Sequence, residues 1–175
     1  MLRTALLIMA ALAAVPAPAG AQAAASPRDY QLRMLEHQRK FLLAMADSMP
    51  ERLYRDRATP EQRDFAQQVH HAASAVAFIA STTMNGPKLA LPDTAAVFRN
   101  RAGLRGFVDA AYDYAGALLR DQPESARAET VELFGHSMPR WQVWDEIHAH
   151  TVWTAGQVVA NFRKHGMAPP PFTFF

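Results

Sequence analysis

The sequence predicts an all-α protein, a single four-helix bundle, on three observations. Four stretches carry apolar residues at helical spacing. Each ends in a strong stop: Pro50, the run Asn85-Gly86-Pro87, Pro123, and Gly166 followed by Pro169 and Pro170. The chain left after a leader, about 150 residues, suits one domain with a sizeable core and leaves no room for a second.

The leader is read over residues 1–21. Arg3 supplies a charged start, an apolar run follows from Ala5 to Val15, and Ala19-Gly20-Ala21 is a small-residue cleavage site. The run falls short of the roughly 20 residues a membrane span needs, and Pro16 and Pro18 end it. A secretory signal peptide is therefore expected, with a mature domain over 22–175 in the periplasm or outside the cell and no membrane span. The chain has no cysteine, which excludes disulfides, thiolate zinc sites and covalent c-type haem. Any metal must be held by His, Asp or Glu. With 18 Lys and Arg against 16 Asp and Glu, the net charge is too small to point to nucleic acid.

The first helix is expected near 28–49, where Leu32, Leu35, Phe41, Leu42, Met45 and Met49 form the apolar stripe. Gln31 and Gln38 fall close to that stripe and need partners if buried. The second is expected near 60–84, with Thr59 as N-cap, Pro60 in the first position and Gln62 completing a capping box. Its stripe of Phe65, Val69, Ala72, Val76 and Ile79 puts His71 nearer the core and His70 on the outside. Residues 88–100 then cross one end of the bundle. The third helix, near 101–120, is expected to bury Leu104, Phe107, Val108, Ala111, Ala115, Leu118 and Leu119. Glu124 to Met138 shows no clean period, though Thr130 to Phe134 alternates weakly, and a loop of this length often lines a site.

The fourth helix, near 139–165, is the most informative stretch. Pro139 suits its first position, and Gly166 suits a left-handed cap at its end. At about 100° per residue, Trp144, Ile147, Thr151, Ala155, Val158 and Phe162 share one face. Asp145, Ala149, Trp153 and Lys164 fall outside it. His150 lies on the flank of the apolar face, and His148 is about 200° away, so one ion cannot take both. The tail from Pro171 to Phe175 is expected to pack back on the bundle or on a neighbour. Trp153 and the tail's phenylalanines make a homodimer the expected assembly.

His150-x-x-x-Thr154-x-Gly156-Gln157, then Phe162-Arg163, Gly166 and Pro169-Pro170, resembles the last helix of the DinB/YfiT-like family of metal-binding four-helix bundles. That family reads His-x-x-x-His at the start of the motif, and Thr154 stands here at the second histidine. The segment FAQQVHHAASAVAFI resembles the family's second helix in a register that selects His71. The resemblance implies a divalent transition metal between the second and fourth helices, and a metal-dependent transferase or hydrolase.

The residues themselves support two readings. His71 and His150 form the pair suited to zinc, nickel or iron, with Glu36, His37 or Glu146 as candidates to complete the site and His148 and Thr154 as possible liners. Alternatively, the chain is a non-catalytic bundle that has lost its metal and binds a small apolar molecule or a partner protein. His148 is expected in an aromatic cluster with Trp141 and Trp144, and His70 and His165 at the surface. No Glu-x-x-His pair, Gly-x-Ser-x-Gly elbow or phosphate-binding glycine loop is present.

Overall fold

The computed structural model describes residues 26–90 and 94–173, so the expected leader lies outside the described residues. Four long helices dominate: α1 (Pro27–Ser48), α2 (Phe65–Thr83), α4 (Arg101–Asp121) and α5 (Arg140–Lys164), with the single turn α3 (Thr94–Val97) between α2 and α4. Short 3₁₀ turns at Glu51–Leu53 and Glu124–Ala128 follow α1 and α4. The protein is an all-α four-helix bundle carrying one small hairpin.

The hairpin was not expected. Strands β1 (Thr130–Leu133) and β2 (His136–Pro139) pair antiparallel, with Leu133 opposite His136. Phe134 and Gly135 form its two-residue turn, both at positive φ (50° and 84°), as the twist of such a tight turn demands. The alternation at Thr130 to Phe134 was its only trace in the sequence, since strands this short give little periodicity.

Hydrogen bonds and packing set the helix directions. Arg39 on α1 reaches Asp109 and Asp113 on α4, while Arg28 reaches Gln122 beyond the end of α4, so α1 and α4 are antiparallel. Gln31 donates to Trp141 O and Gln38 bonds His148, so α1 and α5 run parallel. Gln68 meets Thr154 and Gln157 while His71 meets His150, which makes α2 and α5 antiparallel. His70 stacks on Phe107, and Gln122 at the end of α4 bonds Met84 at the end of α2, so these two are parallel. The connection between α2 and α4 must therefore return along the bundle rather than cross one end of it. Phe98, late in that connection, packs against His70 near the start of α2.

That return path corrects the expected placement of His70. Its ring lies 4.2 Å from Phe107 and 5.0 Å from Phe98, centroid to centroid, and its Nε2 is buried without a hydrogen bond. Periodicity along α2 alone had no term for a segment folding over the outer side of the helix.

The start of α2 is also corrected. Thr59-Pro60-Glu61-Gln62 is a turn closed by Gln62 N–H to Thr59 O, and Asp64 is the real N-cap, with a capping box to Gln67. Asp64 is buried and held by Arg55 at 2.7 Å, and the first helical N–H groups of Phe65 and Ala66 donate to Asp56 O and Tyr54 O. Two competing cap signals stand five residues apart, and the one with tertiary partners wins.

The end of α5 follows expectation. Gly166 adopts φ 67°, its N–H donates to Arg163 O, and Met167 N–H donates to Phe162 O, a Schellman ending. Lys164 and His165 both clamp Asp56 of the loop before α2. The core is continuous, from Leu42 and Met45 of α1 through Phe65, Phe107, Trp144 and Phe162. The two glutamines near the stripe of α1 are buried and satisfied: Gln31 by Trp141 O, Asp145 and Arg127, and Gln38 by His148 and Tyr112.

Candidate functional site

Two places on α5 collect the chemistry, on different sides of the helix. On the α2 side, His71 and His150 face each other with ring centroids 5.3 Å apart and planes at 71°. They sit at a cleft of about 430 Å³ lined further by Ser74, Ala75, Phe78, Ile79 and Phe134. Burial holds both imidazoles below the ordinary histidine range, and the positive charge of Arg63 pushes each the same way. Both rings are therefore neutral at pH 7 and carry a lone pair. One turn from the pair along both helices, Gln68 Nε2 donates to Thr154 O at 3.3 Å and Gln157 Oε1 at 3.1 Å, tying α2 to α5. Thr154 is fully buried there.

The pair fits a metal in spacing and falls short in number. With metal–nitrogen bonds of about 2.0–2.1 Å, two imidazoles on one tetrahedral ion place their ring centroids roughly 5 Å apart, close to the separation seen. Among the described residues, however, no group of three or more His, Asp or Glu side chains stands together to hold an ion. Catalytic zinc sites use three protein ligands, so two is a weak seat.

The other candidates are dispersed. Glu36 belongs to the charged face of α1, 3.9 Å from Arg39 and 3.5 Å from Lys40. Glu146 is exposed and accepts a hydrogen bond from Gln142. His37 and His148 lie on the α1 side of α5 and line a different cavity. His136 is exposed at the start of β2.

His148 departs from its expected aromatic cluster. Trp144 is fully buried with its Nε1 on Gln122, and Trp141 stays 42% exposed, whereas His148 Nδ1 lies 3.0 Å from Gln38 Nε2. Accepting there puts the ring proton on Nε2. The polar chain continues inward, since Tyr112 O–H donates to Gln38 Oε1 at 3.3 Å. Burial lowers the His148 pKa, with His37 adding to it and Asp145 opposing, and burial raises the Tyr112 phenol far above its usual range, with the nearby Thr151 hydroxyl opposing. This buried amide, imidazole and phenol set was not assembled from the sequence, although the need of Gln38 for a partner was its visible sign.

The fold and the paired histidines define a class, an all-α bundle with two imidazoles set in a largely apolar cleft between two antiparallel helices. No family model matches the chain, and no curated protein matches it.

Proposed function

We propose that this chain is a DinB-like bundle acting as a metal-dependent hydrolase or transferase, with zinc, nickel or iron carried between α2 and α5 by His71 and His150. The observation that carries this reading is the 5.3 Å separation of two neutral imidazoles on facing helices. A divalent ion so held supplies Lewis acidity toward a bound water or a substrate oxygen. The chain's own part is to keep both rings uncharged by burial, to fix them on rigid helices, and to wall the cleft with Phe78, Ile79 and Phe134. Two protein nitrogens alone would hold an ion only weakly. The proposal includes export through the leader at 1–21, and a homodimer formed through the exposed face that carries Trp153.

Calorimetric titration of the untagged protein with zinc and with nickel tests the reading. One site is expected, lost in His71→Ala and in His150→Ala and kept in His136→Ala, which changes an exposed imidazole. Absence of binding by the wild type at millimolar metal would end it.

One observation favours a second reading: the third histidine of the resembling family is here a buried threonine. On that reading the bundle has lost its metal and binds a small apolar molecule or a partner protein.

A further inference from the structure

We propose that the cavity where the starts of α1 and α5 meet the 3₁₀ turn Glu124–Ala128 binds a zwitterion, an α-amino acid with an aromatic or large apolar side chain. The cavity has a volume of about 530 Å³, within the range of small-molecule sites. Its walls include Tyr30 and Gln31 of α1, Glu124 and Arg127 of the turn, and Trp141 and Asp145 of α5. It shares no lining residue with the cleft of His71 and His150, so its ligand is independent of any metal there.

Charge is divided across this cavity. On the turn side, two guanidinium groups share one carboxylate: Glu124 lies 2.9 Å from Arg28 Nη2 and 3.2 Å from Arg127 Nε. Arg140, the next cation at this end of the bundle, is matched by Glu129 at 3.1 Å. On the α5 side, Asp145 is exposed, accepts a long hydrogen bond of 3.4 Å from Gln31 Nε2, and joins no salt bridge among the described residues. One wall therefore carries an excess of positive charge and the other an uncompensated negative one. A singly charged ligand is attracted by one wall and repelled by the other, whereas a zwitterion is attracted by both.

The positive wall is short of acceptors as well as of negative charge. Arg127 is 6% exposed, and its Nη1 is buried without a hydrogen bond, as is Nε of Arg28. Their shared partner Glu124 is 74% exposed at its side chain, where an ion pair is weak. A ligand carboxylate at this wall supplies the second negative charge that two guanidiniums call for, and it acts on their delocalised charge without reaching the buried nitrogens.

The spacing suits an α-amino acid. The amide of Gln31 bridges the walls, accepting from Arg127 Nη2 at 3.0 Å and donating to Asp145. An amide spans roughly 2.3 Å from nitrogen to oxygen, so the carboxylate of Asp145 and the guanidinium of Arg127 stand no more than about 9 Å apart. The ammonium nitrogen and carboxylate oxygens of an α-amino acid are roughly 3 Å apart, and one charge-assisted hydrogen bond of about 2.8 Å at each end covers the rest. Trp141 and Tyr30, 42% and 47% exposed, bring aromatic surface to the same cavity for the side chain.

The test is calorimetric titration of the purified protein in EDTA, which removes any metal that an amino acid could chelate. L-Phenylalanine should bind at one site with a Kd below about 1 mM. 2-Phenylethylamine, which lacks the carboxylate, and 3-phenylpropanoate, which lacks the ammonium, should each bind at least about fivefold more weakly, the loss of one charge-assisted contact. Asp145→Asn should weaken L-phenylalanine at least fivefold and leave 3-phenylpropanoate no weaker. Glu124→Gln, which takes away the carboxylate that the arginines now share, should tighten L-phenylalanine at least threefold. Both positions are exposed, so an unchanged circular dichroism spectrum is expected of each variant. No binding of L-phenylalanine at about 10 mM, either singly charged analogue binding as tightly, an unaltered Kd in folded Asp145→Asn, or a weaker one in folded Glu124→Gln would each overturn the assignment.

Discussion

The rings of Phe78 and Phe134 stack with centroids 6.3 Å apart and planes at 20°, one on α2 and one at the tip of the hairpin. Both are largely exposed, and both line the cleft that holds His71 and His150. Phe134 holds this contact from a backbone at φ 50°, where asparagine or glycine is the ordinary choice. A left-handed backbone costs a bulky residue about 1–2 kcal/mol, and an exposed aromatic pair returns at most about that much. Phe134→Asn is therefore expected to leave thermal stability unchanged or raised by up to about 1 kcal/mol. The same substitution should open the cleft, which faster modification of His150 by diethyl pyrocarbonate would reveal.

Thr154→His places a third imidazole four residues from His150, on the face that meets α2. Zinc affinity should rise at least tenfold over the wild type. Thr154 is fully buried, so the larger ring should also cost about 1–3 kcal/mol in a chemical denaturation curve without metal. A folded variant that still binds no zinc would move the site away from metal chemistry altogether.

Acid should destabilise the bundle before its carboxylates titrate. His70, His71, His148 and His150 all have pKa values lowered by burial, so between their folded values and the ordinary 6.5 the unfolded chain binds more protons than the native one. Stability is then fully present above about pH 6.5 and is lost as pH falls through the folded values. The melting temperature measured from pH 7.5 down to pH 5 should fall steadily, and a flat profile would contradict the burial of these rings.

His70→Phe isolates one of the four. Its Nε2 is buried without a hydrogen bond, between Phe98 and Phe107. Replacing the ring with phenyl removes that unmet group, and a gain of about 1 kcal/mol is expected, together with a shallower pH profile. Asparagine at the same position should destabilise.

Trp153 is 75% exposed, on the proposed dimer face. Sedimentation at micromolar concentration should show a dimer that Trp153→Ser dissociates. A wild-type monomer would remove the idea.

Much of the bundle was legible because its signals are local. The burial of Trp144, Ile147, Thr151, Ala155, Val158 and Phe162 follows from 3.6-residue periodicity, the turn at Gly166 from its place before two prolines, and the pairing of Gln31 and Gln38 from their nearness to an apolar stripe. What escaped was set by distant partners. Asp64 outcompetes Thr59 as a cap through Arg55, and His70 is covered by a connection whose path no local pattern records. The facing of His71 and His150 agrees with the inward placement that helical periodicity gives each of them. The cavity beside His148 is not legible in the sequence, because part of its wall, Pro169 to Phe172, comes from beyond the end of the helix and folds back over it.

The helix directions have a consequence for how the chain reaches its native state. α1 packs chiefly on α4 and α5, and α2 chiefly on α4 and α5, so the helices next to each other in the first and last pairs of the sequence stand diagonally in the bundle. Neither α1 with α2 nor α4 with α5 makes a self-sufficient hairpin. The apolar stripes of α1 and α2 stay unburied until the second half of the chain is available, and the contacts that then form are long-range, which slows folding relative to a bundle of simple hairpins. α4 is the first element able to cover both stripes, and α5 then closes the remaining side of α2.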